Sequence, residues 1–146
     1  MGKKRLPKQK SENKSKKISE AATAKATQGE TTDHLHPSFR FAYADPNRWC
    51  LSYWEADEID DLIRALQKIE KHTWLQIKSQ GSKIRGGSVG CGFKVIEQHP
   101  NLPNSVSDDV TISEMRVCQK KRIFGFRIDS IYYIIWFDRD HSVCPE

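Results

Sequence analysis

The last third of the sequence alternates basic side chains with strand-like apolar runs. The basic side chains between residues 110 and 144 are Arg116, Lys120, Lys121, Arg122, Arg127, Arg139 and His141. Between them, the run Ile131–Phe137 is continuous enough for a strand that is buried on both faces. Cations on the rim of a small sheet can bind the phosphates of RNA, so this stretch is the candidate functional surface.

Short turns separate the runs that carry these side chains. Strand patterns cover residues 110–117, 122–128 and 131–137, with turn residues at 119–121 and at 129–130. Strands joined by connections this short pair antiparallel. The pattern therefore predicts a three-stranded antiparallel meander that presents the basic residues.

Two elements are predicted upstream of the meander. Residues 38–54 alternate aromatic side chains on either side of Asp45-Pro46-Asn47, which predicts a β-hairpin. Residues 55–78 carry apolar side chains at helical spacing, and Thr73 can cap a second helix, so one helix or two are expected. The sequence therefore predicts an α+β fold, in which an N-terminal hairpin and the meander form one sheet with the helices on one face.

Charge divides the chain into two parts. Residues 1–30 contain nine Lys or Arg against three Glu and almost no large apolar side chains. This composition predicts a disordered basic tail over 1–36, followed by a single globular domain at 37–146. The longest apolar run is too short to cross a bilayer, and no secretory signal pattern follows the basic start. We therefore expect a soluble cytoplasmic protein without a membrane partner.

A Gly/Pro-rich loop is predicted at 80–108. Its segment Gly81–Ser88 approaches the phosphate-binding pattern G-x-x-x-x-G-K-S, but Gly87 occupies the position that requires lysine. Lys83 and Arg85 remain candidate nucleic-acid-binding residues, and a surface linker without function is the alternative. The four cysteines have no paired spacing, so we expect reduced thiols, no metal site and no cofactor.

The order of elements, with an Arg-bearing strand at 114–117, a basic turn, an Arg-led strand at 122–127 and an apolar strand, resembles the RelE/ParE-like superfamily of bacterial toxins. The resemblance covers roughly residues 38–144 and is one of layout. The ending Trp136–Pro145 is also similar to that of small uncharacterised bacterial proteins with the pattern W-[WF]-D-x-x-H-x-V-C-P. The superfamily resemblance implies a metal-free endoribonuclease that is neutralised by an antitoxin protein.

The same resemblance implies roles for individual residues. Arg116 and Arg122 match strand arginines that bind the scissile phosphate, Lys120 or Lys121 matches the basic turn, and His141 matches a C-terminal acid or base. Histidine suits proton transfer because its unperturbed pKa of about 6.5 is close to neutral pH. The remaining candidates for nucleic-acid binding are Arg127 and Arg139, for which exposed strand and turn charges are the alternative. The alternative for His141 is a turn residue bonded to Asp138 or Asp140.

Three functions are compatible with the sequence. The first is a toxin-like endoribonuclease that acts on RNA, free or on the ribosome. The second is a non-catalytic module that binds nucleic acid or the ribosome. The third is a protein-interaction factor of a mobile element, which would expose a patch formed by Phe39, Tyr43, Trp49 and Tyr53. The nuclease hypothesis requires the cations of the meander to gather in one concave place.

Overall fold

A mixed five-stranded sheet lies at the centre of the computed structural model, which describes residues 32–79 and 90–145. The strands are β1 (Ser38–Arg40), β2 (Lys94–Val95), β3 (Ile112–Cys118), β4 (Lys121–Ile128) and β5 (Ile131–Asp138). The helices are α1 (Ala56–Glu70) and α2 (Trp74–Lys78), and a 3-10 turn at Leu51–Tyr53 precedes them. The strand order is β1-β5-β4-β3-β2, with β1 parallel to β5 and the other pairs antiparallel.

The predicted α+β class is confirmed, and the meander of β3, β4 and β5 forms as expected. Its two turns place Gln119 and Asp129 at positive φ, 45° and 54°. Left-handed residues of this kind let two antiparallel strands follow each other with a very short connection. The basic residues of the meander therefore occupy regular strands and tight turns.

The segment predicted to be a hairpin, residues 38–54, differs from that prediction after β1. Instead of forming a second strand, the chain continues along the edge of β5 and bonds to its backbone at two points. The N–H of Asp45 donates to the carbonyl oxygen of Ile135 (2.9 Å). The N–H of Phe137 donates to the carbonyl oxygen of Trp49 (2.8 Å). The segment therefore lies along the edge of β5, beyond β1, without forming a further strand.

The aromatic alternation that suggested a hairpin has another physical cause. Phe39 packs edge-on against Tyr132 beneath the helices, with ring centroids 6.1 Å apart. Tyr43 packs against Tyr133 on the opposite face of the sheet, at 5.3 Å. The aromatic side chains of this segment therefore pack into the hydrophobic cores on both faces of the sheet.

Both helices begin with reciprocal side-chain caps. In α1, the Glu58 carboxylate accepts the N–H of Glu55 (2.9 Å). In α2, the Thr73 hydroxyl accepts the N–H of Gln76, and the Gln76 side chain accepts that of Thr73. These bonds satisfy N–H groups that have no partner within a helix. The predicted break at Thr73 is thus confirmed, and two helices form.

Residues 32–36, which the sequence prediction assigned to the tail, cap α2 from outside. The carbonyl oxygens of Leu35 and Asp33 accept the N–H groups of Trp74 (3.0 Å) and Leu75 (2.9 Å). The first N–H groups of a helix need such acceptors, which explains why this segment folds onto the domain. The rest of the predicted tail, residues 1–31, lies outside the described residues.

The sheet is buried on both sides. The helices cover one side, here called the helix face, where Trp74 is fully buried. Residues 43–49, residues 96–110 and the C-terminal turn cover the other side, here called the loop face, around Trp136. Val106 and Val110 are buried there, so this part of the Gly/Pro-rich loop packs on the sheet. Within the described ranges, no helix combines the length and apolarity required to cross a membrane.

A bulge at Ile135 changes which side chains of β5 point to each face of the sheet. Phe124 pairs with Trp136 and Gly125 pairs with Ile134, so Ile135 is the extra residue. Both Ile135 and Trp136 consequently pack on the loop face. At Gly125 a side chain is excluded, because a Cβ atom would overlap the backbone carbonyl of Tyr133.

Gly125→Ala is therefore expected to lower the free energy of unfolding by about 3 kcal/mol, the upper part of the range for overpacked sites. Urea denaturation provides the measurement. Gly92→Ala is the control, because the nearest atom to its Cβ would be 4.0 Å away and only the strain of φ 54° applies, about 1 kcal/mol. Equal losses for the two variants would contradict the steric account of Gly125.

Candidate nucleic-acid interface

Arg116 and Arg122, the predicted phosphate ligands, are cross-strand partners near the β3–β4 turn. Strand alternation places both on the loop face, since Ile123 beside Arg122 packs under the helices. Arg116 is exposed, whereas Arg122 is only 9% exposed. The Nη1 atom of Arg122 donates to the carbonyl oxygens of Gln119 and Lys121. Arg122 therefore stabilises the turn, and its guanidinium is largely withdrawn from solvent.

Lys121 and Arg139 lie on the helix face and share one carboxylate, that of Glu58. The distance from Lys121 Nζ to Glu58 Oε2 is 3.0 Å, and that from Arg139 Nε to Glu58 Oε1 is 2.7 Å. The N–H of Glu55 and these two cations hold the pKa of Glu58 down at about 2. The hydrogen bond to Glu58 in turn raises the pKa of Lys121. These two cations therefore attach β4 and the end of β5 to α1.

Arg127 anchors the N-terminal segment to the helix face. Its guanidinium lies 4.4 Å from the centroid of the Trp74 ring, and its Nη2 donates to Asp33 Oδ1 at 2.8 Å. Lys78 Nζ contacts the other oxygen of the Asp33 carboxylate at 2.6 Å. Burial alone would raise the pKa of Asp33, but the bonds from Lys78 and Arg127 outweigh it and lower that pKa. Arg127 thus has a structural role.

The basic side chains of the meander do not gather in one place. Arg116 and Arg122 share the loop face, whereas Lys121, Arg127 and Arg139 contact groups on the helix face. Lys120 is exposed in the turn between β3 and β4. The last two predicted nucleic-acid-binding residues, Lys83 and Arg85, lie outside the described residues. The described residues of the meander therefore do not form one continuous cationic surface.

His141 lies in the turn that follows β5, at a positive φ of 59°. The turn is held by the fully buried carboxylate of Asp138, which accepts the N–H groups of Ser142 and Val143, each at 2.9 Å. Asp138 thus bonds to the two residues after His141. His141 itself is half-buried between Asp140 and Ser142. Asp140 and Ser142, on either side of His141, line a cavity.

The aromatic side chains proposed as an exposed patch are mostly covered. Phe39 packs against Tyr132 and Tyr43 against Tyr133, while Trp49 contacts Trp136 with ring centroids 5.2 Å apart. Tyr53 is different, because 67% of its surface is exposed. Of the four, Tyr53 alone presents a large aromatic surface to solvent.

A groove of about 390 Å³ opens beside Tyr53 at the end of β5, and we call it the β5-end groove. Its lining residues are Asn47, Arg48, Trp49, Tyr53, Phe137, Asp138, Arg139, Asp140 and Ser142. The indole N–H of Trp49 donates to the Ser142 hydroxyl at 2.8 Å and joins the two walls. The groove therefore combines two arginines with aromatic rings and short polar side chains.

Arg48 is one of the two cations of this groove and is held by several contacts. Its Nε lies 3.4 Å from Asp45 Oδ2, and its Nη2 donates to the carbonyl oxygen of Asn101. Its guanidinium carbon also lies 5.2 Å from the Trp49 ring centroid and 5.5 Å from that of Trp136. The side chain nevertheless remains 42% exposed. Arg48 is thus a positioned cation that a ligand can reach.

The carboxylate that positions Arg48 is itself well satisfied. Asp45 is 6% exposed and accepts hydrogen bonds from the Trp136 indole (3.0 Å), from the N–H of Asn47 (2.8 Å) and from that of Arg48. Burial alone would raise the pKa of Asp45, but these donors outweigh it and lower that pKa. Neutral donors therefore stabilise this carboxylate together with Arg48.

Sequence reasoning identified Arg139 and His141 near this site and named Tyr53 only as part of an aromatic interaction patch, and it missed Asn47 and Arg48. The available signal was the run Asp45-Pro-Asn-Arg-Trp49, in which a cation and an indole follow a turn directly. Interpreting the segment as a hairpin concealed it, because a hairpin would place Arg48 on an exposed strand. In the folded protein, the segment that bonds to the edge of β5 brings these residues close to the turn that follows β5.

Within residues 32–79 and 90–145, no three or more His, Cys, Asp or Glu side chains are grouped so that they could hold a metal ion. Comparisons with protein-family models, with curated proteins and with solved structures found no match to this chain. The resemblance to the RelE/ParE-like superfamily therefore stays a prediction, and the site has to be interpreted from its own geometry.

The shared carboxylate of Glu58 makes stability depend on pH. Its pKa in the folded protein, about 2, lies below its ordinary value of 4.5. The contribution of the ionised Glu58 carboxylate to the free energy of unfolding is therefore complete above about pH 4.5, and it is lost as the pH falls toward 2. In Glu58→Gln, the unfolding free energy should depend less on pH across this window than in the parent protein.

Chemical denaturation at a series of pH values between 2 and 6 would measure this dependence, with about half-unit spacing. Asp57→Asn is the control, because Asp57 is an exposed carboxylate in the same helical turn. The interpretation of Glu58 would be incorrect if Asp57→Asn and Glu58→Gln flattened the profile equally.

Proposed function

We propose that this protein binds single-stranded RNA through the β5-end groove. The observation that carries the proposal is the juxtaposition of a positioned, exposed guanidinium, that of Arg48, with the exposed ring of Tyr53 in one groove of about 390 Å³. Single-stranded RNA is recognised by stacking of splayed bases on aromatic rings or guanidinium planes, with cations on the phosphates. The groove offers both kinds of contact.

Other features of the groove fit the same ligand. Asn47 and Asp140 supply amide and carboxylate groups of the kind that bond to base edges. Arg139 lines the opposite wall, and 36% of its side chain is exposed although it binds Glu58. In addition, the surplus of Lys and Arg in residues 1–30 favours contact with any polyanion, without sequence preference.

Tyr53→Ala is expected to weaken RNA binding by about 1–3 kcal/mol, the usual worth of one stacked base. The affinity of the full chain for a short fluorescein-labelled RNA, measured by fluorescence anisotropy, tests this. Leu75→Ala is the matched control, since Leu75 is an exposed apolar residue of α2 at 59% exposure. Unchanged affinity of Tyr53→Ala would refute stacking at this position.

Arg48→Gln is expected to reduce the salt dependence of binding. Loss of one phosphate contact should make the slope of log K against log salt concentration shallower by about 0.7. Arg64→Gln, an equal charge change on the exposed surface of α1, should leave the slope close to that of the parent. Thermal melts would verify that both variants fold, and equal slopes for the two would count against Arg48 as a phosphate ligand.

A second candidate function, a toxin-like endoribonuclease, is favoured by the position of His141. The residue adopts a positive φ of 59° in the turn whose neighbours Asp140 and Ser142 line the groove. Non-glycine residues held in this region often belong to functional sites. In this version His141 is the acid or base, and Arg48 or Arg139, rather than Arg116 and Arg122, faces the phosphate. The substrate would be RNA, free or on the ribosome, and an antitoxin would cover the groove.

His141→Asn separates binding from cleavage, because asparagine tolerates positive φ and cannot act as an acid or base near neutral pH. We expect RNA affinity to stay within about twofold of the parent, as for a surface change. If the protein is a nuclease, end-labelled RNA incubated with EDTA will be cut by the parent and not by this variant. If the parent protein leaves RNA intact and its induction does not affect bacterial growth, the nuclease hypothesis is wrong. RNA binding without cleavage is then the remaining proposal.

A further inference from the structure

A second groove, of about 350 Å³, lies between residues 45–48 and residues 102–105, and we call it the turn groove. Asn47 and Arg48 line both this cavity and the β5-end groove. The two cavities therefore adjoin each other at this pair of side chains. A ligand longer than one nucleotide could pass from one groove into the other along them.

The two grooves differ in chemistry. The β5-end groove contains the rings of Trp49 and Tyr53. The part of the turn groove that the structure describes is lined by prolines, a leucine and short polar side chains, among them Asn104 and Ser105, and by no aromatic ring. Amide and hydroxyl groups of this kind bond to sugar hydroxyls, whereas a base without an aromatic partner gains little from stacking. The turn groove therefore suits a ribose better than a stacked base.

Arg48 lies where the two grooves meet, and contacts fix the orientation of its guanidinium. Its bonds to Asp45 and to the Asn101 carbonyl use two of its five N–H groups, and both indole rings beside it restrict its plane. A guanidinium held in this way offers its other N–H groups in a set direction. The group that links two consecutive nucleosides is a phosphate, which is the partner that arginine binds best.

We infer that the two grooves form one site for two consecutive ribonucleotides. The first base stacks in the β5-end groove, the linking phosphate lies on Arg48, and the second ribose occupies the turn groove. The 2′-hydroxyl of that ribose bonds to Asn104 or Ser105, which makes the site selective for RNA over DNA. This inference rests on the proposed function and adds to it the length and the sugar of the ligand.

Nuclear magnetic resonance of the full chain labelled with ¹⁵N tests the inference with three small probes. These are uridine 5′-monophosphate, the dinucleotide UpU and its 2′-deoxy analogue. The monophosphate should shift the Trp49 indole and Tyr53 amide signals alone. UpU should shift these and also the amide signals of Asn104 and Ser105, and it should bind about fivefold more tightly than the monophosphate, as expected for one added hydrogen bond to the second ribose, because both ligands carry one phosphate.

Asn104→Ala provides the decisive variant. It should weaken UpU about fivefold, the effect of one hydrogen bond, without changing the affinity for the monophosphate. In the parent, the deoxy analogue should bind as weakly as UpU binds to this variant. Gln67→Ala is the control, since it removes an exposed amide from α1.

The outcomes separate the two proposals. Shifts at Trp49 and Tyr53 with UpU, but none at Asn104 and Ser105, would overturn the two-nucleotide site and leave RNA binding by the β5-end groove intact. Equal binding of UpU and its deoxy analogue would overturn the ribose contact. No shift with any probe, and no binding of longer labelled RNA, would overturn the proposed function and this inference with it.

Discussion

The hydrogen bonds of the buried Asp45 carboxylate are the interactions on which the β5-end groove depends. The carboxylate accepts the indole N–H of Trp136 in β5, and it holds the backbone of its own turn through the N–H groups of Asn47 and Arg48. A buried carboxylate is stable only with such partners, since an unpaired one would lose its solvation without compensation. The same contacts fix Arg48 over two indole rings, so the packing of β5 determines where the exposed cation lies.

The charges of the domain show why counting basic residues did not locate the site. Residues 31–146 contain 15 Lys or Arg and 16 Asp or Glu, so carboxylates are available for most cations. Glu58 binds two cations of the meander, and Asp33 binds Arg127. These pairs hold α1 and the N-terminal segment against the sheet. Arg48, a cation that remains exposed in a groove, comes from a turn that no basic cluster marks.

The parts of the fold that the sequence predicted are those determined by local chemistry. The turns at Gln119 and Asp129 and the cap at Thr73 involve neighbours in sequence, so the meander and the two helices could be predicted. The parallel pairing of β1 with β5 and the bulge at Ile135 depend on contacts between distant segments. Alternating aromatic residues cannot reveal which face of the sheet each side chain enters, and for this reason Arg48 was missed and Tyr53 was named only as part of an aromatic patch.

Backbone strain gives an independent reason to regard the β5-end groove as a functional site. Among the described residues, four non-glycine residues have positive φ: Trp49, Gln119, Asp129 and His141. Gln119 and Asp129 occupy the tight turns of the meander, where the geometry requires this conformation. Trp49 and His141 lie outside the meander turns, and for an indole side chain the conformation is unfavourable. Trp49 lines the groove and His141 lies between two residues that line it, so this strain is concentrated where the indole is brought to Ser142 and Arg48. A turn selected for stability alone would place glycine or asparagine at these positions.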